Sequence, residues 1–154
     1  MITFTGDYPC KADSKGRILL PSAFKKQMGD RVIDRFVIKK SIFEKSLLMY
    51  PYEEWERQIS NLRSKINPYN REHAQFLREF FKGTAEISLD NNNRLLIPKR
   101  LLEWANIKTD VILVGQDDKI VIWDKESYES DSLSDEAFAS LAEKILGNNH
   151  LNEN

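Results

Sequence analysis

A chain of 154 residues with 41% apolar and 31% charged residues has the size and composition of one globular unit, or of two small ones sharing a core. No apolar run approaches the roughly 18 residues of a membrane span, and residues 1–10 lack the basic and apolar regions of a secretory signal. The single cysteine, Cys10, cannot form an intrachain disulfide. This favours a reducing compartment and predicts a cytoplasmic protein without membrane attachment.

Charge is unevenly distributed, although the net charge is only −1. Residues 11–40 hold nine Lys and Arg against three Asp and Glu, whereas residues 124–154 hold two against eight. This segregation is typical of a protein with one anion-binding surface and an acidic, solvated tail. Two ordinary solvated faces would give the same counts, so the charge pattern alone leaves both interpretations open.

An internal repeat organises the chain. The stretch FTGDYPCKADSKGRILLP, residues 4–21, aligns with FKGTAEISLDNNNRLLIP, residues 81–98, with six identical positions out of eighteen. Each copy reads as a strand, a tight loop, a second strand, a short helix after a proline, and two further strands. The pattern therefore predicts a duplicated unit that is rich in β structure.

Each copy carries an Asp-x-x-x-Arg loop between its first two strands. Asp13 and Asp90 are expected to shape these loops by accepting hydrogen bonds from the backbone two residues on. Gly16 supplies the positive φ that such loops need near their end, and Asn93 is the next most tolerant residue in that conformation. The runs that follow, ILL and LLI, do not alternate, so both faces of each second strand are expected to be covered. Interlocked hairpins, in which each copy completes the other's sheet, would provide that cover.

Two helices are predicted between the copies and one after them. Residues 51–66 begin with a proline and an acidic turn and carry one apolar stripe. For the second helix, Asn67 is the expected N-cap and Pro68 the first helical residue, and a stripe of phenylalanines ends at Gly83. Core or subunit packing explains that stripe better than a ligand pocket. The tail, residues 134–147, is also amphipathic and has no counterpart in the first copy.

Residue patterns for catalysis or metal binding are nearly absent. Cys10 and the two histidines, His73 and His150, are far apart in sequence, and their spacing does not suit a zinc site. A Cys10–His73 nucleophile pair would need the two side chains to meet in space. Asp13 and Asp90 could form a carboxylate pair, but that chemistry does not need two duplicated arginines. The sequence therefore predicts no enzyme, no cofactor and no metal.

The arginine that ends each loop suits the recognition of nucleic acid. A guanidinium at a hairpin tip can pair in bidentate fashion with a phosphate or with the O6/N7 edge of guanine. Each arginine could instead pair with the aspartate of its own loop as a clamp, and the two roles are compatible. Further basic residues cluster in sequence near both loops: Lys11, Lys15, Lys25 and Lys26 near Arg17, and Lys99 and Arg100 near Arg94.

These loops resemble those of the MraZ family, whose members have two AbrB-like repeats of the SpoVT-AbrB type. Each family repeat carries an Asp-x-x-Gly-Arg loop followed by apolar residues and a proline. The first copy matches this pattern in full, at Asp13, Gly16, Arg17 and Pro21. The second copy matches at Asp90, Arg94 and Pro98, with Asn93 in place of the glycine. The resemblance extends from about Phe4 to about Tyr128.

The resemblance implies a β-rich α+β fold. Two AbrB-like swapped-hairpin repeats would form an interlocked, β-barrel-like core, with two helices inserted between them and a C-terminal helix. The corresponding divisions are residues 5–52 and 81–127 for the two repeats, 53–80 for the helical insert and 128–154 for the acidic tail.

The resemblance also implies a cytoplasmic, nucleoid-associated bacterial transcriptional regulator that assembles as a homo-oligomeric ring. The expected partner is double-stranded DNA with repeated operator boxes, at the promoter of the division and cell-wall gene cluster. Arg17 is the expected reader of a base edge or an adjacent phosphate. The expected supporting residues are Lys15 and Lys11 on the DNA backbone, assisted by Arg94, Lys99 and Arg100. An AbrB-type protein-interaction module of the antidote kind, without specific DNA readout, would use the same fold and stays open.

Overall fold

The computed structural model describes residues 2–147, and these form eight strands and six helices. The first repeat contains β1 (Asp7–Lys11), β2 (Arg17–Leu19), α1 (Ser22–Gln27), β3 (Arg35–Lys40) and β4 (Leu47–Pro51). Helices α2 (Tyr52–Arg63) and α3 (Arg71–Phe81) follow β4. The second repeat contains β5 (Ala85–Ser88), β6 (Arg94–Leu96), α4 (Lys99–Trp104), β7 (Asp110–Gln116) and β8 (Lys119–Asp124). The chain continues into α5 (Lys125–Ser130) and α6 (Asp135–Leu146).

Most of these elements follow the predicted order, with two differences at helices. The sequence pattern did not predict α5. The predicted start of the second inserted helix is wrong, because Asn70 and not Asn67 is its N-cap, and the Asn70 side chain accepts a hydrogen bond from the His73 N–H at 3.2 Å. The end of the acidic tail, including His150, lies outside the described residues.

The six-stranded sheet joins the two repeats through antiparallel pairs. Its strand order is β1-β7-β8-β4-β3-β5. Strand β1 of the first repeat pairs with β7 of the second, and β5 of the second pairs with β3 of the first. Strands β4 and β8 pair across the middle. The fold is therefore a mixed α/β structure with mostly antiparallel strands, in which each repeat supplies an edge strand to the other repeat's hairpin.

Strands β2 and β6 form a separate two-stranded ribbon that connects the two edges of this sheet. Single bridges join Ala12 to Ile18 at one edge and Leu89 to Leu95 at the other. Continuous ladder pairing does not cross these two edges within residues 2–147. The closed, barrel-like core accordingly stays a prediction.

The register of the ribbon corrects the expectation that both faces of its strands are covered. Ile18 opposes Leu95 and both are fully buried in the core. Leu19 and Leu96, the middle residues of the two apolar runs, are 58% and 56% exposed. Because side chains alternate along a strand, these leucines point away from the core together with the loop arginines. The inner face of the ribbon is covered, whereas its outer face is open within this chain.

The core lies between the sheet, the ribbon and the short helices α1 and α4. Phe24 of α1 and Leu101 of α4 are fully buried there, so the two repeats use their short helices in the same way. Helices α2 and α3 pack through Trp55, whose ring stacks against Phe80 at a centroid distance of 6.3 Å. Among residues 2–147, no helix combines the length and the apolar character needed to cross a bilayer.

Candidate nucleic-acid interface

The first Asp-x-x-x-Arg loop is closed by its aspartate. The backbone N–H of Asp13 donates to the Arg17 carbonyl at 3.0 Å, and the N–H of Gly16 donates to the Asp13 carbonyl at 3.0 Å. Oδ1 of Asp13 also accepts from the N–H groups of Lys15, at 3.0 Å, and Arg17, at 2.9 Å. One carboxylate oxygen thus fixes the backbone on both sides of the glycine.

The second loop repeats this pattern atom for atom. Asp90 N–H donates to the Arg94 carbonyl at 2.9 Å, and Oδ1 of Asp90 accepts from the N–H groups of Asn92, at 2.8 Å, and Arg94, at 2.9 Å. Asn93 adopts a positive φ of 60°, where Gly16 has 85°. With asparagine in place of glycine, the second loop therefore has the same hydrogen bonds and a similar backbone conformation.

Different neighbours explain why one loop has a glycine and the other an asparagine. A Cβ on Gly16 would lie 2.8 Å from the carbonyl oxygen of Ile97 and 3.2 Å from Cδ1 of Leu102, so that position has no room for a side chain. At the equivalent position, Oδ1 of Asn93 accepts a hydrogen bond from Nζ of Lys25 at 2.6 Å. Each loop residue therefore contacts the short helix of the other repeat.

Each loop arginine is held through its Nε atom by the aspartate of its own loop, and its Nη atoms make no hydrogen bond within residues 2–147. Nε of Arg17 donates to Oδ2 of Asp13 at 2.7 Å, and Nε of Arg94 donates to Oδ2 of Asp90 at 3.0 Å. Within residues 2–147, neither guanidinium uses its Nη atoms in a hydrogen bond. Each arginine side chain is 32% exposed, so the two are equally accessible. The clamp is therefore present, and it leaves the Nη groups open to a ligand.

The two arginines share the outer face of the ribbon. Arg17 lies opposite Leu96 and Arg94 lies opposite Leu19, so all four side chains point to the same side. The arginines occupy diagonal positions, which in an antiparallel pair are roughly 7–8 Å apart. We call this set, Arg17, Leu19, Arg94 and Leu96, the arginine face. Sequence reasoning found its arginines but missed its leucines, although their spacing of two residues from each arginine indicates a shared face.

The other predicted basic residues are distributed across the two repeats. Lys15 is exposed within the first loop, and Lys99 and Arg100 are exposed at the start of α4. Lys11 is exposed too, but its Nζ pairs with Asp110 at 2.6 Å, so it is already partly neutralised. Lys25, grouped with the first loop from sequence, contacts Asn93 of the second loop instead.

The start of α4, in the second repeat, likewise contacts the loop of the first repeat. The N–H of Ile97, two residues before Lys99, donates to the carbonyl oxygen of Gly16 at 2.9 Å. Conversely, the N–H of Leu20 donates to the carbonyl oxygen of Asn93 at 2.9 Å. The sequence grouping is therefore corrected, because α1 begins beside the second loop and α4 begins beside the first.

The alternative catalytic pair, Cys10 and His73, has no supporting geometry. Nδ1 of His73 accepts a hydrogen bond from the N–H of Asn67 at 2.9 Å, which closes the turn before α3. The Cys10 thiol faces the carbonyl oxygen of Tyr8 at 3.6 Å. Burial raises the pKa of this thiol, whereas a nucleophilic cysteine needs a lowered pKa.

The loop aspartates predict a specific sensitivity to acid. The backbone N–H of Arg17 is the main cause that lowers the pKa of Asp13 below its ordinary value, and Arg94 acts in the same way on Asp90. A carboxyl group with a lowered pKa in the folded state stabilises the protein above its ordinary pKa, and this contribution is lost as the pH falls through the lowered value. Asp13→Asn is therefore expected to lower the melting temperature at pH 7, with a difference that shrinks below about pH 3.8.

Thermal denaturation of both proteins at several pH values tests this prediction. Asp30→Asn is the matched control, because Asp30 is exposed and forms no side-chain hydrogen bond or ion pair with residues 2–147. A difference between wild type and Asp13→Asn that stays constant from pH 7 to pH 3 would contradict the role of the Asp13 charge.

Comparison with known proteins agrees with the duplicated architecture. The family model described as "MraZ protein, putative antitoxin-like" matches twice, at residues 3–79 and 80–148. A curated protein of Christiangramia forsetii, named transcriptional regulator MraZ, is 40% identical over 151 residues, covering 96% of each chain. A protein of the same name from Bacteroides thetaiotaomicron is 37% identical, and the match covers 95% of this chain and 94% of the relative. Another, from Clostridium tetani, is 35% identical, with 92% of this chain and 96% of the relative covered. With both repeats matched and relatives similar along nearly their full length, the chain belongs to the MraZ family.

Proposed function

We propose that this protein regulates transcription by binding double-stranded DNA in a sequence-specific manner through Arg17 and Arg94. The observation that carries the proposal is the arginine face, where two equivalent loops present guanidinium groups on one exposed surface. A carboxylate that holds Nε orients the guanidinium and leaves two Nη groups for a phosphate or a guanine edge. The name of the curated relatives, transcriptional regulator, supports the same role.

The remaining basic residues support the two arginines in this proposal. Lys15, Lys99 and Arg100 are exposed, and they neutralise DNA phosphates beside the first loop. Lys11 contributes less, because Asp110 already pairs with it. Leu19 and Leu96 each lie opposite an arginine on the same face, and they contact apolar parts of the bases or sugars, such as the thymine methyl group.

Assembly and cellular context complete the proposal. Several copies in a homo-oligomeric ring present repeated arginine faces to repeated operator boxes, which raises affinity without any new type of contact. The protein acts in the cytoplasm on the nucleoid, at the promoter of the division and cell-wall gene cluster. Within the chain we propose a swapped-hairpin core formed by residues 5–52 and 81–127, an insert at 53–80 and an acidic tail at 128–154.

Binding to DNA upstream of the protein's own gene, measured at several salt concentrations, tests the function. We expect an affinity at least about a thousandfold higher than for a shuffled sequence of the same composition. We also expect affinity to fall steeply with added salt, because phosphate contacts release counterions. Equal affinity for the two DNA sequences, or no binding at low salt, would contradict the proposal. Light scattering on the same samples gives the number of subunits.

The runner-up function is an antidote-like module that binds another protein, and the description of the matching family model contains the related term "antitoxin-like". It predicts a small protein partner that co-purifies in stoichiometric amounts and a lack of specific DNA affinity. The same salt titration separates the two functions, because only the regulator discriminates between the upstream sequence and its shuffled control.

A further inference from the structure

Helix α6 has an apolar face that nothing covers within residues 2–147. None of its residues is buried, and its large apolar side chains are exposed: 63% for Phe138, 42% for Leu141, 56% for Ile145 and 73% for Leu146. These residues recur at helical spacing and therefore form one stripe. A stripe of this kind is stable in water when another surface covers it, so α6 has the character of an interaction helix.

A second apolar surface that no other part of residues 2–147 covers lies between the β3–β4 loop and helices α2 and α3. Two adjoining cavities of about 440 Å³ and 430 Å³ share the residues Lys39, Ser41, Ile42 and Phe80. We call them together the Lys39 cleft. Its rim includes Phe43, which is 91% exposed, and Phe76, which is 42% exposed, and Trp55 and Trp104 contribute to its walls.

The cleft contains a buried positive charge. Lys39 is only 3% exposed, and its Nζ donates to the carbonyl oxygen of Lys40 at 2.8 Å and lies 4.1 Å from the centre of the Phe80 ring. No carboxylate of residues 2–147 is within ion-pair distance of this ammonium group. Burial lowers the pKa of Lys39 to about 8, because a protein interior disfavours the charged form of an ammonium group that has no acidic partner. The cleft therefore combines a positive charge with apolar walls.

Charge complementarity identifies what fits the cleft. Five lysines and two glutamates line it, a net charge of +3: Lys39, Lys40, Lys65, Lys82 and Lys119 against Glu44 and Glu79. Helix α6 with the four residues before it has four acidic residues and one lysine, a net charge of −3: Asp131, Asp135, Glu136 and Glu143 against Lys144. Residues 2–147 thus contain an acidic helix with an apolar stripe and a basic cleft with apolar walls, and neither covers the other within the chain.

We propose that α6 of one copy of this protein lies in the Lys39 cleft of a second copy, with its apolar stripe against the aromatic side chains of the cleft. Asp135 lies three residues before Phe138, at the edge of the stripe, so it faces the lysines of the rim. Helix and cleft are different surfaces, so the contact joins successive copies head-to-tail, and such copies form a ring where the rotation between neighbours closes. This inference rests on the assembly proposed above and is independent of DNA binding.

Surface substitutions that leave the core intact test the contact. Phe138→Glu/Ile145→Glu alters the stripe, and Phe43→Glu alters the cleft rim, all at exposed positions. Ser140→Glu, on the opposite side of α6, and Val32→Glu, at an apolar residue that is 93% exposed outside the cleft, are the matched controls. Sedimentation velocity is expected to show wild type and controls as oligomers, and both altered proteins as monomers near the chain mass of 18.0 kDa.

Mixing the two altered proteins identifies the partners of the contact. The Phe43→Glu protein retains an intact α6 and the Phe138→Glu/Ile145→Glu protein retains an intact cleft, so one contact can form and a species of twice the chain mass is expected. Pairing between two α6 helices would leave Phe43→Glu oligomeric, and docking of α6 on its own chain would give no mixed dimer. Either result overturns the inference. If both altered proteins form the same oligomers as the wild type, the contact is overturned but the ring is not. If the wild type is a monomer, both are overturned.

Discussion

Arg17→Ala is expected to weaken binding to the operator about ten- to hundredfold per arginine face, which corresponds to roughly 1–3 kcal/mol for one bidentate contact. The loss has a specific geometric cause. Asp13 holds Nε, so the Nη groups of Arg17 have a fixed plane, and binding does not have to order this side chain. In a ring the loss applies to every arginine face that contacts DNA, so the measured change is larger than for one loop.

Arg94→Ala is expected to have an effect of the same size, because the two loops have matching hydrogen bonds and equal arginine exposure. Arg17→Lys is not expected to restore affinity, because lysine is a point charge without the planar fork and cannot make the Nε bond to Asp13. Fluorescence anisotropy with labelled operator DNA measures all three variants. Arg78→Ala removes a charge from the exposed surface of α3 and is the control.

Two outcomes would change this interpretation. Operator affinity that is unaltered in a folded, correctly assembled Arg17→Ala protein removes the DNA-reading role from the loop. A large loss for Arg17→Ala with none for Arg94→Ala would mean that DNA contacts only one half of the arginine face, despite the equal geometry of the two loops.

Gly16→Ala is expected to destabilise the protein by roughly 3 kcal/mol, for two reasons that add together. Part of the cost is the backbone, since a φ of 85° is unfavourable for a residue with a Cβ by about 1–2 kcal/mol. The rest is steric, because the new Cβ would lie 2.8 Å from the carbonyl oxygen of Ile97. This oxygen belongs to the backbone of the other repeat, so it cannot move aside as a flexible side chain could.

Gly29→Ala separates these two contributions. Gly29 also has a positive φ, of 69°, but a Cβ there meets no atom within 4 Å. Only the backbone cost applies, so the expected loss is about 1 kcal/mol. Urea denaturation of the two variants measures the difference. Equal losses for both would show that the contact between Gly16 and Ile97 relaxes and does not constrain the ribbon.

Local patterns in the sequence predicted the elements of the fold well. The repeated Asp-x-x-x-Arg loop, the proline before each short helix and the apolar stripes of α2, α3 and α6 all depend on neighbours within a few residues. Asparagine tolerates a positive φ, and Asn93 adopts one of 60° at the position of the glycine. Short-range physics was sufficient for these features.

Features that depend on strand exchange between the repeats could not be predicted from local sequence patterns, because they join residues that are far apart in the chain. Lys25 is near Arg17 in sequence but contacts the second loop, because β2 pairs with β6 and brings α1 beside the other repeat. The exposure of Leu19 and Leu96 depends on the register of that pair, and no part of residues 2–147 forms a second layer over it. Lys39 has the identity of a surface residue, yet it is buried, and its ammonium group lies over the Phe80 ring of α3.

The pairing of β2 with β6 inside one chain also has an evolutionary consequence. In a symmetric dimer of single-repeat chains, each mutation would appear in both loops at once, and the surface that carries the two loops would keep its two-fold axis. Here Gly16 and Asn93 already differ, each matched to its own neighbour, so one loop can diverge while the other is conserved. A surface without an exact axis has a direction, and it can distinguish a site read forwards from the same site read backwards.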